Sequence, residues 1–231
     1  MKAVFTCGGT GGHINPALAV ARVLLERRPD SEILFVGAED GMEATLVPRE
    51  GFRLETLQIS SYMRSLKPSA IRHNVRAALS IRRALKKADR IIRDFQPDVI
   101  LGTGGYASYP MLHEGARLGI PTAVHESNAV PGLATKMVAD KVDRILVSFA
   151  DSRSAYRDPS RVIAVGMPVR EEFVFTRRAD ARRALGLDEK TPMIVSAWGS
   201  LGAREMNKKI AQFMKLECEQ DCWRHIHATG S

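Results

Sequence analysis

Apolar residues follow two rhythms along this chain. Short apolar runs with β-branched and aromatic residues occupy residues 3–6, 33–36, 54–58, 99–101, 122–124 and 145–147. Between them, apolar positions recur at helical spacing near residues 17–25, 42–49, 70–95, 108–118, 133–139 and 151–156. Such short apolar runs predict strands buried on both faces. Their alternation with amphipathic helices predicts a parallel sheet covered on both sides, an α/β fold of Rossmann-like type. Asp158-Pro159 marks a turn. The rhythm then restarts, with strands at 162–165, 193–197 and 225–228 and helices at 180–185 and from 204 to about 214. The expected organisation is a first domain over 1–160 and an incomplete second Rossmann-like domain over 161–231, too small to stabilise itself without help.

Ligands of open parallel sheets bind beyond the carboxyl ends of the strands, so the loops leaving the strands carry the candidate chemistry. Three stand out. Cys7-Gly8-Gly9-Thr10-Gly11-Gly12-His13-Ile14-Asn15-Pro16 follows the first strand. Its glycines permit close backbone approach, and the helix start behind it offers unpaired N–H groups, a seat for phosphate. Asn15 is expected to cap that helix, with Pro16 in its first turn. Gly102-Thr103-Gly104-Gly105-Tyr106-Ala107-Ser108 and His125-Glu126-Ser127-Asn128 leave two further strands. All three loops should converge on one sheet edge, gathering Thr10, His13, Tyr106, Ser108, His125, Glu126 and Asn128. A fourth turn, Gly199-Ser200-Leu201-Gly202, repeats the strand–glycine–helix logic near the end.

Composition narrows the setting. The chain has 231 residues, three cysteines and a hydrophobic share of 45%. That is ordinary for a globular protein, with no disulfide framework and hence a reducing compartment. Met1-Lys2 leads straight into the first strand, so no secretory leader is expected. No apolar run approaches the roughly 20 residues needed to span a bilayer. The net charge of +8 is concentrated between Arg64 and Asp94, where ten cations face only Asp89 and Asp94. On a helix over 70–95, Ile81, Leu85, Ala88 and Ile92 share a stripe expected to face the sheet. Ile71, Val75 and Leu79 fall on another side among Arg72, Arg76, Arg82, Arg83 and Lys86. Apolar residues ringed by cations suit an anionic leaflet, and a solvated charged face is the competing reading. The stretch lacks the interleaved aromatics and motifs of nucleic-acid binders. Cys218, Cys222, His225 and His227 do not match zinc spacings. The two histidines are expected on opposite faces of a strand, so no metal is expected.

Five motifs now stand in order: Gly8 to Pro16, Met42-Glu43-Ala44 with Leu46-Val47-Pro48, Gly102 to Tyr106, His125 to Asn128 with Pro131-Gly132, and Gly199 to Arg204. Together they resemble the MurG-type N-acetylglucosaminyltransferases of glycosyltransferase family 28, over nearly the whole chain. The resemblance implies a GT-B architecture of two Rossmann-like domains. It implies inverting transfer of GlcNAc from UDP-GlcNAc to the C4 hydroxyl of undecaprenyl-diphospho-MurNAc-pentapeptide, lipid I, in peptidoglycan synthesis. It places the protein peripherally on the cytoplasmic face of the cell membrane, with anionic phospholipid and other cell-wall enzymes as partners and no cofactor. Donor contacts carry over to Thr10, Gly11, Gly12, Asn128, Arg170 and Ser200. The chain departs from the family at Trp198, Leu201 and Met167, where Gly, Gln and Asn are usual. The family's uridine and donor-sugar contacts fall past residue 231, so a half-module that needs a donor-binding partner is the alternative expectation.

Inverting transfer needs a base for the acceptor hydroxyl and donors for the departing diphosphate. His13 is the favoured base, or else a hydrogen-bond donor to phosphate or to a loop carbonyl. Glu126 is a rival base, a residue that orients a histidine, or a structural carboxylate. Tyr106 and Asn128 would orient the acceptor, while Gly104 and Gly105 offer amides and Arg170 a fixed charge. A nicotinamide-dependent oxidoreductase ranks last, since the first loop lacks G-x-G-x-x-G spacing.

Overall fold

The protein is described by a computed structural model over residues 1–59, 68–199, 202–220 and 223–230, the side chains of 68–79 and 220 excepted. It divides into two compact units, Met1–Arg170 and Glu171–Ser231.

The first unit is a seven-stranded, all-parallel sheet. In chain order the strands and helices are β1 (Lys2–Thr6), α1 (Gly11–Arg27), β2 (Glu32–Ala38), α2 (Glu43–Arg49), β3 (Arg53–Leu57), α3 (Pro68–Phe95), β4 (Val99–Gly102), α4 (Ser108–Arg117), β5 (Thr122–Glu126), α5 (Leu133–Val138), β6 (Arg144–Val147) and β7 (Val162–Ala164). The sheet order is β3-β2-β1-β4-β5-β6-β7. The strand direction of travel thus reverses at β1, which lies between β2 and β4, and this switch point opens a crevice at the carboxyl edge.

Strand alternation sorts the core into two layers. Val4, Leu34, Val36, Ile100 and Val124 pack against Ala84, Ala88, Ile91 and Ile92 of α3 and Met111 and Leu112 of α4. On the opposite face Ala3, Phe5 and Phe35 meet Ile14, Ala17, Leu18 and Ala21 of α1. Phe5 and Phe35 pair in register and stack with ring centroids 5.4 Å apart. Burying a ring such as Phe35 contributes about 1.5–3 kcal/mol.

Four expectations are corrected in the first unit. First, α1 begins at Gly11, not after Asn15. Thr10 is its N-cap and Pro16 lies inside it. Proline there removes only the N–H that would bond the Gly12 carbonyl, and the buried Ile14, Ala17, Leu18 and Ala21 stripe holds the helix regardless. Second, α3 is rotated from its expected stripe. Ala84, Ala88, Ile91 and Ile92 are buried, while Ile81 and Leu85 are half-buried. Third, the helix expected at 151–156 is a 3-10 turn, Ala150–Ala155. Fourth, β7, assigned from sequence to the second domain, pairs with β6 and completes the first sheet. The compact units divide after Arg170 rather than after residue 160.

The second unit holds α6 (Glu171–Phe175), α7 (Arg178–Ala184), β8 (Met193–Ala197), α8 (Arg204–Gln220) and β9 (Arg224–Ala228). Strands β8 and β9 form a two-stranded parallel sheet. His225 and His227 share one face of β9, contrary to expectation, because residues two apart in a strand point the same way. Both contact the Ser196 hydroxyl, at 2.8 Å. Glu217 of α8 bonds His225 Nδ1 at 2.6 Å, and Asn207 bonds His227 Nε2 at 3.1 Å. Among the described residues, no group of three or more His, Cys, Asp or Glu side chains could hold a metal.

Candidate active site

The glycine turns after β1 and β4 and the loop after β5 meet at one sheet edge, because those strands are neighbours. They border a cavity of about 350 Å³ lined by His13, Gly104, Gly105, Tyr106, Glu126 and Asn128. Ile59, Ile81, Tyr109, Leu133 and Met137 give the cavity an apolar wall. The close approach of the two turns depends on glycine. A β-carbon on Gly105, where φ is +82°, would lie 2.1 Å from the Gly8 carbonyl oxygen.

His13 is half-buried in the first turn of α1. Its Nδ1 lies 3.0 Å from the Gly8 carbonyl oxygen and 3.3 Å from Thr10 Oγ1. A carbonyl only accepts, so Nδ1 carries the hydrogen and Nε2 presents its lone pair. The ring edge rests on Gly104, where a β-carbon would come within 2.9 Å of Cδ2 and 3.2 Å of Nε2. Thr103 Oγ1 donates to the His13 carbonyl at 2.6 Å and ties α1 to the second turn. Tyr106 lies over Gly9, where a β-carbon would sit 3.3 Å from its Cε1. Burial first, then the carboxylates of Glu43 and Asp40, holds the Tyr106 phenol above its ordinary pKa, so it stays a donor at neutral pH.

Glu126 organises the third loop. One oxygen accepts from the Asn128 N–H at 2.9 Å and from Asn128 Nδ2 at 2.8 Å, and the other from the Gly132 N–H at 2.9 Å. Burial pushes its pKa up, but the Thr135 hydroxyl, the two amide N–H groups and the Asn128 side chain outweigh this and bring it below the ordinary value. That makes Glu126 a weak proton acceptor and a strong loop staple. Asn128 spends one N–H of its side-chain amide on Glu126, which leaves Oδ1 and the second N–H for a ligand.

Other site expectations fall elsewhere. His125 alternates away from Glu126 along β5. Its Nε2 donates to the Gly166 carbonyl at 3.0 Å, and burial lowers its pKa. Ser108 is buried and donates to the Gly105 carbonyl at 2.7 Å, a structural bond within the turn. Thr10 is exposed beside His13, with Gly11 and Gly12 opening α1. Arg170 is exposed at the end of the first unit and is not among the lining residues. Ser200 lies outside the described residues, as do the side chains of Ile71, Arg72, Val75, Arg76 and Leu79. Arg82, Arg83 and Lys86 are exposed on α3. Among the described residues no helix is long and apolar enough to cross a membrane. Sequence reasoning gave no site role to Thr103, Leu133, Met137 or, above all, Glu43, and placed Ile81 against the sheet rather than at the cavity. Glu43 stood in the sequence only as part of the Met42-Glu43-Ala44 motif, with no chemistry assigned to it.

A parallel, doubly wound sheet with glycine turns at its switch point and an imidazole beside them defines a Rossmann-type fold. Residues 3–147 match the glycosyltransferase family 28 N-terminal domain, and the chain belongs to that family. It is 39% identical over 230 residues to the UDP-N-acetylglucosamine--N-acetylmuramyl-(pentapeptide) pyrophosphoryl-undecaprenol N-acetylglucosamine transferase of Acetivibrio thermocellus, covering 100% of this chain and 61% of that one. A Thermoanaerobacter sp. protein of the same name is 40% identical over 215 residues, covering 93% and 58%. The chain therefore spans about three fifths of the length of these relatives. Among solved structures, Acinetobacter baumannii MurG matches with a TM-score of 0.64 at 24% identity, over 93% of this chain and 57% of that one. A Methanocaldococcus jannaschii UDP-GlcNAc 2-epimerase matches with a TM-score of 0.62 at 11% identity, over 99% and 65%. These two likenesses speak for the fold.

Proposed function

We propose that this cavity is the acceptor side of an inverting N-acetylglucosaminyltransferase that uses UDP-GlcNAc and lipid I at the cytoplasmic face of the membrane. The observation that carries the reading is the imidazole of His13, with Nδ1 committed to Gly8 and Nε2 left at the cavity. In this reading the acceptor C4 oxygen attacks the anomeric carbon, the bond to the UDP oxygen breaks, and the hydroxyl proton passes to Nε2. Amides of Gly104 and Gly105, the start of α1 with Thr10, Gly11 and Gly12, and Arg170 supply donors and charge for diphosphate groups. Tyr106 and Asn128 Oδ1 orient sugar oxygens, and Glu126 holds Asn128 in place. The apolar wall suits the lipid end of the acceptor. The basic face of α3, with Arg82, Arg83 and Lys86, suits anionic phospholipid.

A second reading follows from the lining, all of which comes from the first unit: an acceptor-binding module whose donor side belongs to another chain. One assay separates the two. The purified chain is given a lipid I analogue on liposomes, with and without radiolabelled UDP-GlcNAc. Transfer supports the first reading, acceptor binding without transfer supports the second, and failure of both sinks the site. Where transfer occurs, His13→Ala is expected to cut kcat by about 10²–10⁴-fold with acceptor affinity held. Unchanged turnover would remove His13 as base.

A further inference from the structure

Glu43, the first residue of α2, is 0% exposed. Burying a carboxylate costs several kcal/mol unless donors compensate. Among the described residues it makes no ion pair. Its compensation is two backbone amides: Oε2 accepts from the Gly9 N–H at 3.1 Å, and Oε1 from the Ala38 N–H at 2.7 Å. Three glycines make the room. A β-carbon on Gly8 would lie 2.7 Å from Oε1, one on Gly37 2.4 Å from Cγ, and one on Gly41 2.3 Å from Cδ. A cradle so specific, where an apolar side chain would fill the space without desolvating a charge, points to a task for the carboxylate.

That task is visible in the peptide it grips. The Gly9 N–H and the Gly8 carbonyl belong to one planar peptide unit and point in opposite directions. Glu43 holds the N–H end, and His13 Nδ1 holds the carbonyl end at 3.0 Å. We propose that Glu43 is a positioning residue that sets the tautomer and basicity of His13 through the Gly8–Gly9 peptide. The carboxylate does through one peptide bond what a carboxylate does directly in a Ser-His-Asp triad. Polarisation along the chain of bonds strengthens the Gly8 oxygen as an acceptor. It therefore favours Nδ1–H and leaves Nε2 free. The carboxylate also prevents a flip. Between two glycines, with Gly9 at φ +89°, a peptide rotates at little steric cost. Without an acceptor at position 43, the unpaired N–H would turn from its buried pocket toward His13, where it calls for an unprotonated Nδ1. The hydrogen then moves to Nε2 and the base is lost.

The catalytic consequence rests on the proposed role of His13, but the structural one does not, and the test keeps them apart. The full chain is labelled with ¹⁵N-histidine, and His13 is assigned by its loss in His13→Gln. Imidazole nitrogen shifts then report the tautomer near pH 8 in wild type, Glu43→Met and Glu43→Gln. Wild type is expected to show Nδ1–H. Glu43→Met, of similar volume with no acceptor, is expected to switch His13 to Nε2–H and to cut kcat by about 10²-fold with KM little changed. Glu43→Gln, which retains one carbonyl for Gly9, is expected to fall between and to serve as the folded reference if Glu43→Met does not fold. Retention of Nδ1–H at wild-type population in a folded variant overturns the proposal, whether or not wild type transfers sugar. A tautomer switch with unchanged turnover upholds the link to His13 and overturns the proposed base.

Discussion

The two units use the same local device and reach different ends. Each runs a strand into a glycine turn and then a helix: β1 into α1, and β8 into α8. Each has a glycine pressed on the backbone of a neighbouring turn, Gly105 on the Gly8 carbonyl and Gly202 on the Thr229 carbonyl, both at 2.1 Å for a would-be β-carbon. In the first unit, β1 has parallel neighbours on both sides, so three loops converge and close a cavity around His13. In the second, β8 pairs only with β9 among the described residues. The outward face of that pair leaves Val195 63% and Ile226 45% exposed, and its covered face holds a polar chain of Ser196, His225, His227 and Glu217. A glycine turn therefore does not make a site. The adjoining strands do, by bringing further loops to the same edge.

Core deletion should separate the units most. Phe35→Ala, in the buried layer of the first sheet, is expected to cost about 3–5 kcal/mol. Val195→Ala should stay within about 0.5 kcal/mol. Urea unfolding checks both, and equal costs would mean that the second sheet's outward face is covered in solution. Next come the paired glycines. Gly105→Ala combines a backbone clash with positive φ and should cost about 3 kcal/mol and abolish acceptor binding. Gly202→Ala meets a similar clash in the second unit and should leave acceptor binding intact. Loss of binding in Gly202→Ala would show that the units are coupled.

Acid should act on the Glu126 loop. Its folded pKa lies below the ordinary 4.5, so its contribution is present above that value and is lost as pH falls through the depressed one. The amide protons of Asn128 and Gly132 should lose exchange protection in that acid range in wild type, and at neutral pH in Glu126→Ala. Constant protection across the range would mean that the loop is held by packing alone. Ser196→Ala is expected to cost only about 1 kcal/mol, confined to the second unit and without change in His13 chemistry.

Much of the first unit was legible before any coordinates. Apolar runs located every strand from β1 to β7, and the rule that ligands bind beyond strand carboxyl ends implied that Thr10, His13, Tyr106, Ser108, His125, Glu126 and Asn128 meet, of which His13, Tyr106, Glu126 and Asn128 line the cavity. Family membership was legible too, since five motifs in order constrain a chain far more than one. Direction of side chains was less legible. His125 and Glu126 are adjacent in sequence and were read as one cluster, yet strand alternation sends the first to Gly166 and the second to the cavity loop. The start of α1 was misplaced because Asn15-Pro16 is a strong local signal, and tertiary burial of Ile14 and Ala17 overrode it.

What the sequence determined by itself is whatever depends on neighbours along the chain: periodicity, turn-forming glycines and the clustering of cations in one helix. What only the tertiary structure decided is which distant groups complete one another. Glu43 and Gly9 are 34 residues apart, and Thr103 and His13 are 90 apart. No local pattern encodes that a carboxylate and an imidazole hold opposite ends of one peptide. That relation exists only because β1, β2 and β4 lie side by side, and it is the packing of a parallel sheet, fixed by burial on both faces, that puts them there.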